Sequence, residues 1–351
     1  MLPEIELAFP RFLCLPLSVG RSALGVGRLP VKPQQRRALI EPEQFVRDFP
    51  PSKRYLIGVS GGRDSIALLN LLVDLGYKKL VVCHLNHQLR GASSRGDSRF
   101  VEKVACNLKL DCEIGSTDVG ALAKRSKLSI ETAARFGRFA FFVEVARRRR
   151  CLRIFLAHHA DDLVETALLN LFRGASPAGM AAMRKISVHR IGKTNLTILR
   201  PLLGVWRSEI NSYIEQQGLK FCEDRTNREM SSSRNRIRHR ILPYINKTFG
   251  RDVSKAIWRA AAIWVDEESF LDAMTPVVGS RLNVVELRKL AVPLQRRAIV
   301  DWFRLNRVPN TGFDLVEKIR SLMEPSSLLF KINVPGDRHI RRRAKTIFIE
   351  G

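Results

Sequence analysis

Six consecutive positions, Ser60-Gly61-Gly62-Arg63-Asp64-Ser65, combine two hydroxyls, two glycines and a carboxylate directly after the apolar run Tyr55–Val59. A helical pattern, Ile66-Ala67-Leu68-Leu69, begins at once behind them. Backbone N–H groups in such a turn, together with the Ser60 and Ser65 hydroxyls, form a concave anion site at a helix N-terminus. The glycines allow the close approach and positive φ that a phosphate cradle requires. No Gly-Lys-Ser/Thr follows, so this is not the P-loop in which a lysine reaches the β- and γ-phosphates.

A second dense cluster is His158-His159-Ala160-Asp161-Asp162-Leu163-Val164-Glu165-Thr166. With a helix starting near Asp161, Asp162 and Glu165 share one face close to its N-terminus. Two carboxylates there suit either Mg²⁺ against phosphates or a cationic amine. The zincin order His-Glu-x-x-His is absent and no cysteine is near, which disfavours zinc. Arg135 and Arg138 lie one helical turn apart, a spacing suited to phosphate contacts. Arg234, Arg236, Arg238 and Arg240 surround Asn235 and His239 in a run suited to neutralising RNA phosphates. Each motif also has a plain structural explanation: capping acids, a core histidine, or solvated basic faces.

These residues need a scaffold that brings them together. From about residue 41, strands at Tyr55–Val59, Lys79–Leu85, Cys112–Ser116 and Leu152–Ala157 alternate with helices at Asp64–Leu75, Gly96–Leu108, Ile130–Arg149 and Asp161–Phe172. That order predicts an α/β fold with a parallel, Rossmann-like sheet and right-handed crossovers. Ligands of such sheets bind beyond the carboxyl ends of the strands. The polar segments Ser60–Ser65, His84–Arg90 and His158–Asp162 all fall there and are expected to line one crevice. Past Pro243 the pattern reads as helices (Val253–Thr275, Val284–Lys289, Leu294–Leu305, Phe313–Leu322), then two short strands near Leu328–Val334 and Thr346–Glu350. The expected division is an N-terminal extension (1–40), a catalytic α/β domain (41–230), a basic linker (231–250) and a smaller, mainly helical domain (251–351).

The chain has 351 residues and 45% apolar content, with 60 Lys and Arg against 34 Asp and Glu, a formal charge of +26. That excess points to a polyanionic partner, most simply nucleic acid. No apolar run approaches the roughly 20 residues needed to span a bilayer, so no membrane partner is expected. Six cysteines, Cys14, Cys83, Cys106, Cys112, Cys151 and Cys222, contain no C-x-x-C pair. Their scatter argues against a metal ribbon or disulfide framework and fits a reducing compartment. Residues 1–40 are Arg-rich and acid-poor, compatible with a disordered extension or an organellar, for example plastid, transit peptide. A cytoplasmic location is the favoured expectation.

Taken together, the motifs resemble those of the tRNA(Ile)-lysidine synthetases, within the N-type ATP pyrophosphatases. The ordered set is Ser60–Ser65, His84-Leu-Asn-His87-Gln-Leu-Arg90, Glu131-Thr-Ala-Ala-Arg135, His158–Thr166, Arg173-Gly174 through Gly179-Met180, Arg200-Pro-Leu-Leu203, Glu223-Asp-Arg-Thr-Asn227 and Arg234-Asn-Arg-Ile-Arg238. The first motif alone is common to many ATP pyrophosphatases, whereas the set is specific. The resemblance implies a ligase that uses ATP and Mg²⁺ to adenylate C2 of the wobble cytidine in tRNA(Ile) with a CAU anticodon. Free L-lysine then displaces AMP to form lysidine, and codon reading changes from AUG to AUA. It implies an ATP loop at Ser60, Gly61, Gly62, Arg63, Asp64 and Ser65, and transition-state charge at Arg135. It sets His158, Asp162 and Glu165 around Mg²⁺ or lysine, with Asp64 and Asp162 as the metal pair, and RNA contacts at Arg173, Arg234, Arg236 and Arg238. Asp224-Arg-Thr-Asn227 stands where the family's usual motif is Asp-Pro-Ser-Asn. A homodimer is left open. Competing readings are tRNA thiolation on the same fold, with Cys83 as the sole candidate nucleophile, and a non-catalytic RNA-binding protein.

Overall fold

The computed structural model describes residues 39–89, 92–175, 177–181, 183–223, 233–309, 311–324 and 331–350, with only the backbone of 92–95, 177 and 178. Most of the 1–40 extension, together with Arg90 and the Asp224–Asn227 motif, lies outside the described residues.

Six strands, β1 (Tyr55–Gly58), β2 (Leu80–Asn86), β3 (Asp111–Ser116), β4 (Arg153–Phe155), β5 (Ile186–Ile191) and β6 (Thr194–Leu199), form one sheet in the order β3-β2-β1-β4-β6-β5. All neighbours are parallel except β5, which pairs antiparallel with β6. Leu56 lies beside Val81 on one flank and Ile154 on the other, so β1 is central. The chain winds outward from β1 to β3 and then returns to place β4 on the opposite side of β1. A crevice opens at that reversal, above the carboxyl ends of β1 and β4.

The strands read as continuous apolar runs because both faces are covered. Tyr55, Ile57 and Val82 pack in one core with α2 (Arg63–Asp74) and α8 (Arg207–Gln216); Leu56, Val81 and Ile154 pack in another with α5 (Ile130–Arg148). At Gly58 a Cβ would sit 2.6 Å from Leu156 Cδ2 and 3.0 Å from Phe142 Cζ, so only glycine lets α5 and β4 close on the end of β1.

Several elements were not anticipated from the sequence. They are α1 (Pro42–Asp48), α4 (Val119–Ser126), α8 and the β5–β6 hairpin. Helix α6 (Ala160–Phe172) follows β4 and is succeeded by the single turn α7 (Pro177–Met180). The 231–250 region, expected as a linker, forms α9 (Ser233–Arg236), a π-helical turn (Ile237–Ile241) and α10 (Leu242–Phe249). Ile237 packs against Val164 and Leu168 of α6. Helix α11 (Ser254–Met274) also docks here: Ala261 and Trp258 join Leu163, Met183 and Leu203, and Trp258 Nε1 donates to Leu203 O (3.0 Å).

The C-terminal region has its own core around Trp302, Phe303, Ile340 and Ile347. Helices α12 (Val284–Arg288), α13 (Val292–Leu305) and α14 (Phe313–Met323) lie with an antiparallel sheet of order β7-β10-β9-β8. Its strands are β7 (Leu282–Asn283), β8 (Lys331–Val334), β9 (Arg338–Arg343) and β10 (Thr346–Glu350). Four strands thus stand where the sequence indicated two. The missing pair are a two-residue edge and the segment Arg-His-Ile-Arg-Arg-Arg, whose lone aliphatic residue, Ile340, faces the core.

Candidate active site

Past β1, Val59 N donates to Cys83 O (2.9 Å), and the chain then turns sharply. Gly61 has φ +88°, a region side chains rarely enter, and its carbonyl accepts from Cys222 N (2.9 Å). Ser65 Oγ donates to Gly62 O (2.8 Å) and accepts from Ser60 N (3.2 Å), while Gly62 N donates to Ser60 Oγ (3.3 Å). The two hydroxyls, 3.2 Å apart, therefore brace the turn that starts α2. Arg63 turns aside, donating to Asn211 Oδ1 (2.7 Å) and stacking over Phe221 (4.8 Å). Asp64 faces the crevice, and its Oδ1 is buried without a hydrogen-bond partner among the described residues.

Helix α6 begins at His159, a fully buried N-cap residue. Its Nε2 lies 3.6 Å from both Asp64 Oδ2 and Asp162 Oδ2, and its Nδ1 3.4 Å from Asp161 Oδ2. Burial works against a charge on this ring, but the three carboxylates prevail and lift its pKa to about 9. The same contacts act on Asp64. Burial raises its carboxyl, yet the neighbouring His159 ring and the charges of Arg207 and Arg63 bring it below its ordinary value. Asp161 is likewise raised by burial but lowered overall by His159 and by Arg207 N, which donates to its Oδ2 (2.9 Å). His159 was not singled out from the sequence; its place at the helix cap, between the serine loop and the acids, was the available signal.

His158, one residue earlier, has the opposite surroundings. Burial, then the charges of Arg200, Arg138, Arg234 and Arg135, push it well below the usual histidine range. Arg200 Nε donates to His158 Nδ1 (3.3 Å), while Arg200 Nη1 donates to Arg184 O (2.8 Å) and Ser187 Oγ (2.8 Å). The sequence reading set His158 beside Mg²⁺ or a lysine ammonium. Either cation would meet a field already positive there.

The two arginines of α5 differ in placement. Arg135 is exposed, lies over Phe139 (5.2 Å) and is not part of the cavity wall. Arg138, one turn on, lines the cavity with Nε buried and unpartnered among the described residues. Burial, Arg135 and Arg234 lower its pKa to about 10.

Glu165 is 1% exposed and bound by Arg238 through Nε to Oε1 (2.6 Å) and Nη2 to Oε2 (3.0 Å). Its carboxyl is raised by burial even so. Arg238 Nη2 also lies 3.8 Å from Asp162 Oδ1. Glu165 therefore meets a guanidinium of its own chain where the sequence suggested a metal or lysine, and Arg238 faces α6 where an RNA phosphate was expected. Arg234 likewise donates to Thr166 Oγ1 (3.2 Å). Of the four arginines assigned to RNA, Arg173 and Arg236 are exposed.

The cavity encloses about 670 Å³ and is walled by the serine loop, the β2 end His84–His87, Arg138, the β4 end Leu156–His158 and the Phe221–Glu223 strip. His84 Nδ1 is 2.8 Å from Val59 O, and its Nε2 is buried without a partner among the described residues. Cys83 also touches this cavity, but burial raises its thiol, which weakens its case as a nucleophile. A smaller cavity of about 280 Å³ adjoins α6 and is lined by Asp161, Glu165, Arg238 and Asp252. The described residues offer no cluster of three or more metal-ligating side chains. Mg²⁺ needs only one or two carboxylates plus phosphate oxygens, and the orphaned Asp64 Oδ1 with nearby Asp162 fits that demand. Among the described residues no helix is long and apolar enough to cross a membrane.

The PP-loop domain family matches residues 34–245, which includes every residue of the larger cavity. The tRNA(Ile)-lysidine synthase of Geobacter sulfurreducens is 35% identical over 84% of this chain and 64% of its own length. The tRNA(Ile)-lysidine synthase of Thermosynechococcus vestitus is 32% identical over 83% of this chain and 85% of its own. Among solved structures, a U34-tRNA thiolase from Methanococcus maripaludis superposes with a TM-score of 0.50 at 17% identity, covering 61% of this chain and 72% of that one, a likeness of fold alone. On the PP-loop match and the relatives' identity and coverage, the chain belongs to the tRNA(Ile)-lysidine synthase family of PP-loop proteins.

Proposed function

We propose that this protein uses ATP to activate C2 of the wobble cytidine of tRNA(Ile) bearing a CAU anticodon, and then joins free L-lysine to that carbon. The observation that carries this reading is the convergence of the serine loop and the α6 acids: Asp64 and Asp162 both lie 3.6 Å from His159 Nε2. In the first step the cytosine O2 attacks the α-phosphorus and pyrophosphate leaves. In the second, the deprotonated ε-amine of lysine attacks C2 and AMP leaves with the former base oxygen.

The turn that the Ser60 and Ser65 hydroxyls brace receives the departing pyrophosphate at the start of α2, with the N–H groups not used in that bracing as donors. Asp64 and Asp162 would hold Mg²⁺, which when bound neutralises phosphate charge. Arg138 offsets charge gathering on the α-phosphate from a desolvated position, where such an interaction is strong. Lysine enters on the acidic side, near Asp161 and Asp162, where its ammonium is attracted and its proton is given up before attack. Exposed Arg173 and Arg236, with the +26 net charge, support RNA binding whose affinity falls with salt.

The test is incubation of the full chain with ATP, Mg²⁺, labelled lysine and either tRNA(Ile) carrying CAU or elongator tRNA(Met). Label is expected in the isoleucine tRNA alone. No transfer to either RNA ends the proposal, and modification that requires a sulfur donor instead of lysine would move the protein to thiolation.

A further inference from the structure

Arg200 has the surroundings of a positioning device. It is 5% exposed at the carboxyl end of β6, and no carboxylate pairs with it among the described residues. Its Nη1 is tied twice to the β5 side, to Arg184 O and Ser187 Oγ, both at 2.8 Å. Those anchors fix the guanidinium plane and leave Nε–H directed at His158 Nδ1, 3.3 Å away. An arginine Nε always carries its hydrogen, so the imidazole nitrogen facing it must present a lone pair. In a neutral ring the hydrogen then resides on Nε2, and His158 belongs to the cavity wall.

We propose that Arg200 is a positioning residue that locks His158 in the Nε2–H tautomer, making the imidazole a fixed hydrogen-bond donor to an anionic oxygen in the cavity and not a proton acceptor. The charges that act most strongly against a proton on His158 are Arg200 from the end of β6, Arg138 and Arg135 from α5, and Arg234 from α9. With the lone pair of Nδ1 already engaged by Arg200 Nε–H, these cations favour the neutral donor over the charged ring. His158 Nε2–H and the Arg138 guanidinium are then two donors on the wall of the same cavity. This role within catalysis rests on the proposed adenylation, but the tautomer itself does not.

The experiment is ¹⁵N NMR of the full chain with labelled histidine, the His158 signals being assigned by their loss in His158→Asn. The wild-type ring is expected to be neutral and Nε2-protonated, without change from about pH 6 to 8, the interval in which an unperturbed histidine loses its charge. Arg200→Met should give mixed tautomers and slow ATP–pyrophosphate exchange in the presence of tRNA by about 10² in kcat, with little change in KM for ATP. Arg200→Lys keeps a charge but lacks the oriented Nε–H, so it should restore neither the tautomer nor the rate. If Arg200→Met does not fold, Ser187→Ala, which removes one anchor and keeps the donor, should still broaden the tautomer ratio. An Nδ1–H ring in the wild type, or an unchanged tautomer in folded Arg200→Met, overturns the proposal. A locked tautomer in a protein that transfers no lysine would overturn the function and leave this inference standing.

Discussion

Two adjacent histidines at the start of α6 meet opposite electrical surroundings. His159 sits among Asp64, Asp161 and Asp162 and holds a proton up to about pH 9, whereas His158 sits among arginines and stays neutral. One backbone step at the start of α6 sends the first ring toward β6 and Arg200 and the second toward the serine loop. Of the groups that set this contrast, Asp64 and Arg138 both reach the cavity wall, one suited to cations and the other to anions. Residue type alone does not decide what a histidine does here; the strand or helix packed against each ring does.

The contrast can be broken from either side. The largest expected effect is at Asp162: Asp162→Asn should reduce ATP–pyrophosphate exchange by about 10³, the upper range for one electrostatic group, while tRNA binding measured by filter retention stays nearly unchanged. Loss of RNA binding instead would place Asp162 on the RNA surface. Next is Glu165→Ala, which strands Arg238 in a nearly closed site. Breaking a buried pair from one side costs about 3–5 kcal/mol, so urea unfolding should show a clear drop in midpoint. An unchanged midpoint would mean that the pair is solvated. Arg138→Gln should slow exchange by about 10², and Arg135→Gln by much less; equal losses would return Arg135 to the cavity.

The pH dependence of stability sharpens the comparison further. His159 is raised from 6.5 to about 9 on folding, so its stabilisation is complete below pH 6.5 and is lost as pH rises through about 9. His158 is lowered, so the unfolded chain takes up the proton first and stability falls as pH drops below 6.5. Thermal melts should show His159→Gln flattening the alkaline limb and His158→Gln the acidic limb; the reverse pattern would exchange the two assignments. The smallest effect is expected at Arg236, where alanine should lessen the slope of log affinity against log salt by about 1.

The sequence carried the sheet, the serine loop and α6 well, because glycine spacing, apolar runs and an acidic helix start are local signals. It did not separate Arg135 from Arg138. Both lie on the same stretch of α5, and only docking of Phe141 and Phe142 on the sheet turns one toward the cavity. Nor did it distinguish His159 from His158, since their roles come from Asp64, nearly a hundred residues away, and from Arg200 on a hairpin that alternates weakly. The Glu165–Arg238 pair was read as two independent sites because its partners are separated by 73 positions. Position β9 was hidden by five charged or polar residues around Ile340.

Helix α11 has a practical consequence for taking the protein apart. Ala261 is wholly buried against Leu163, Met183 and Leu203, so the acid-bearing helix is roofed by chain that comes after the matched PP-loop region. Truncation near residue 250 would bare that apolar roof line, and the fragment would be prone to self-association before its chemistry could be assayed. Proteolytic dissection should therefore aim beyond Met274, where α11 ends and its cover over the catalytic half remains whole.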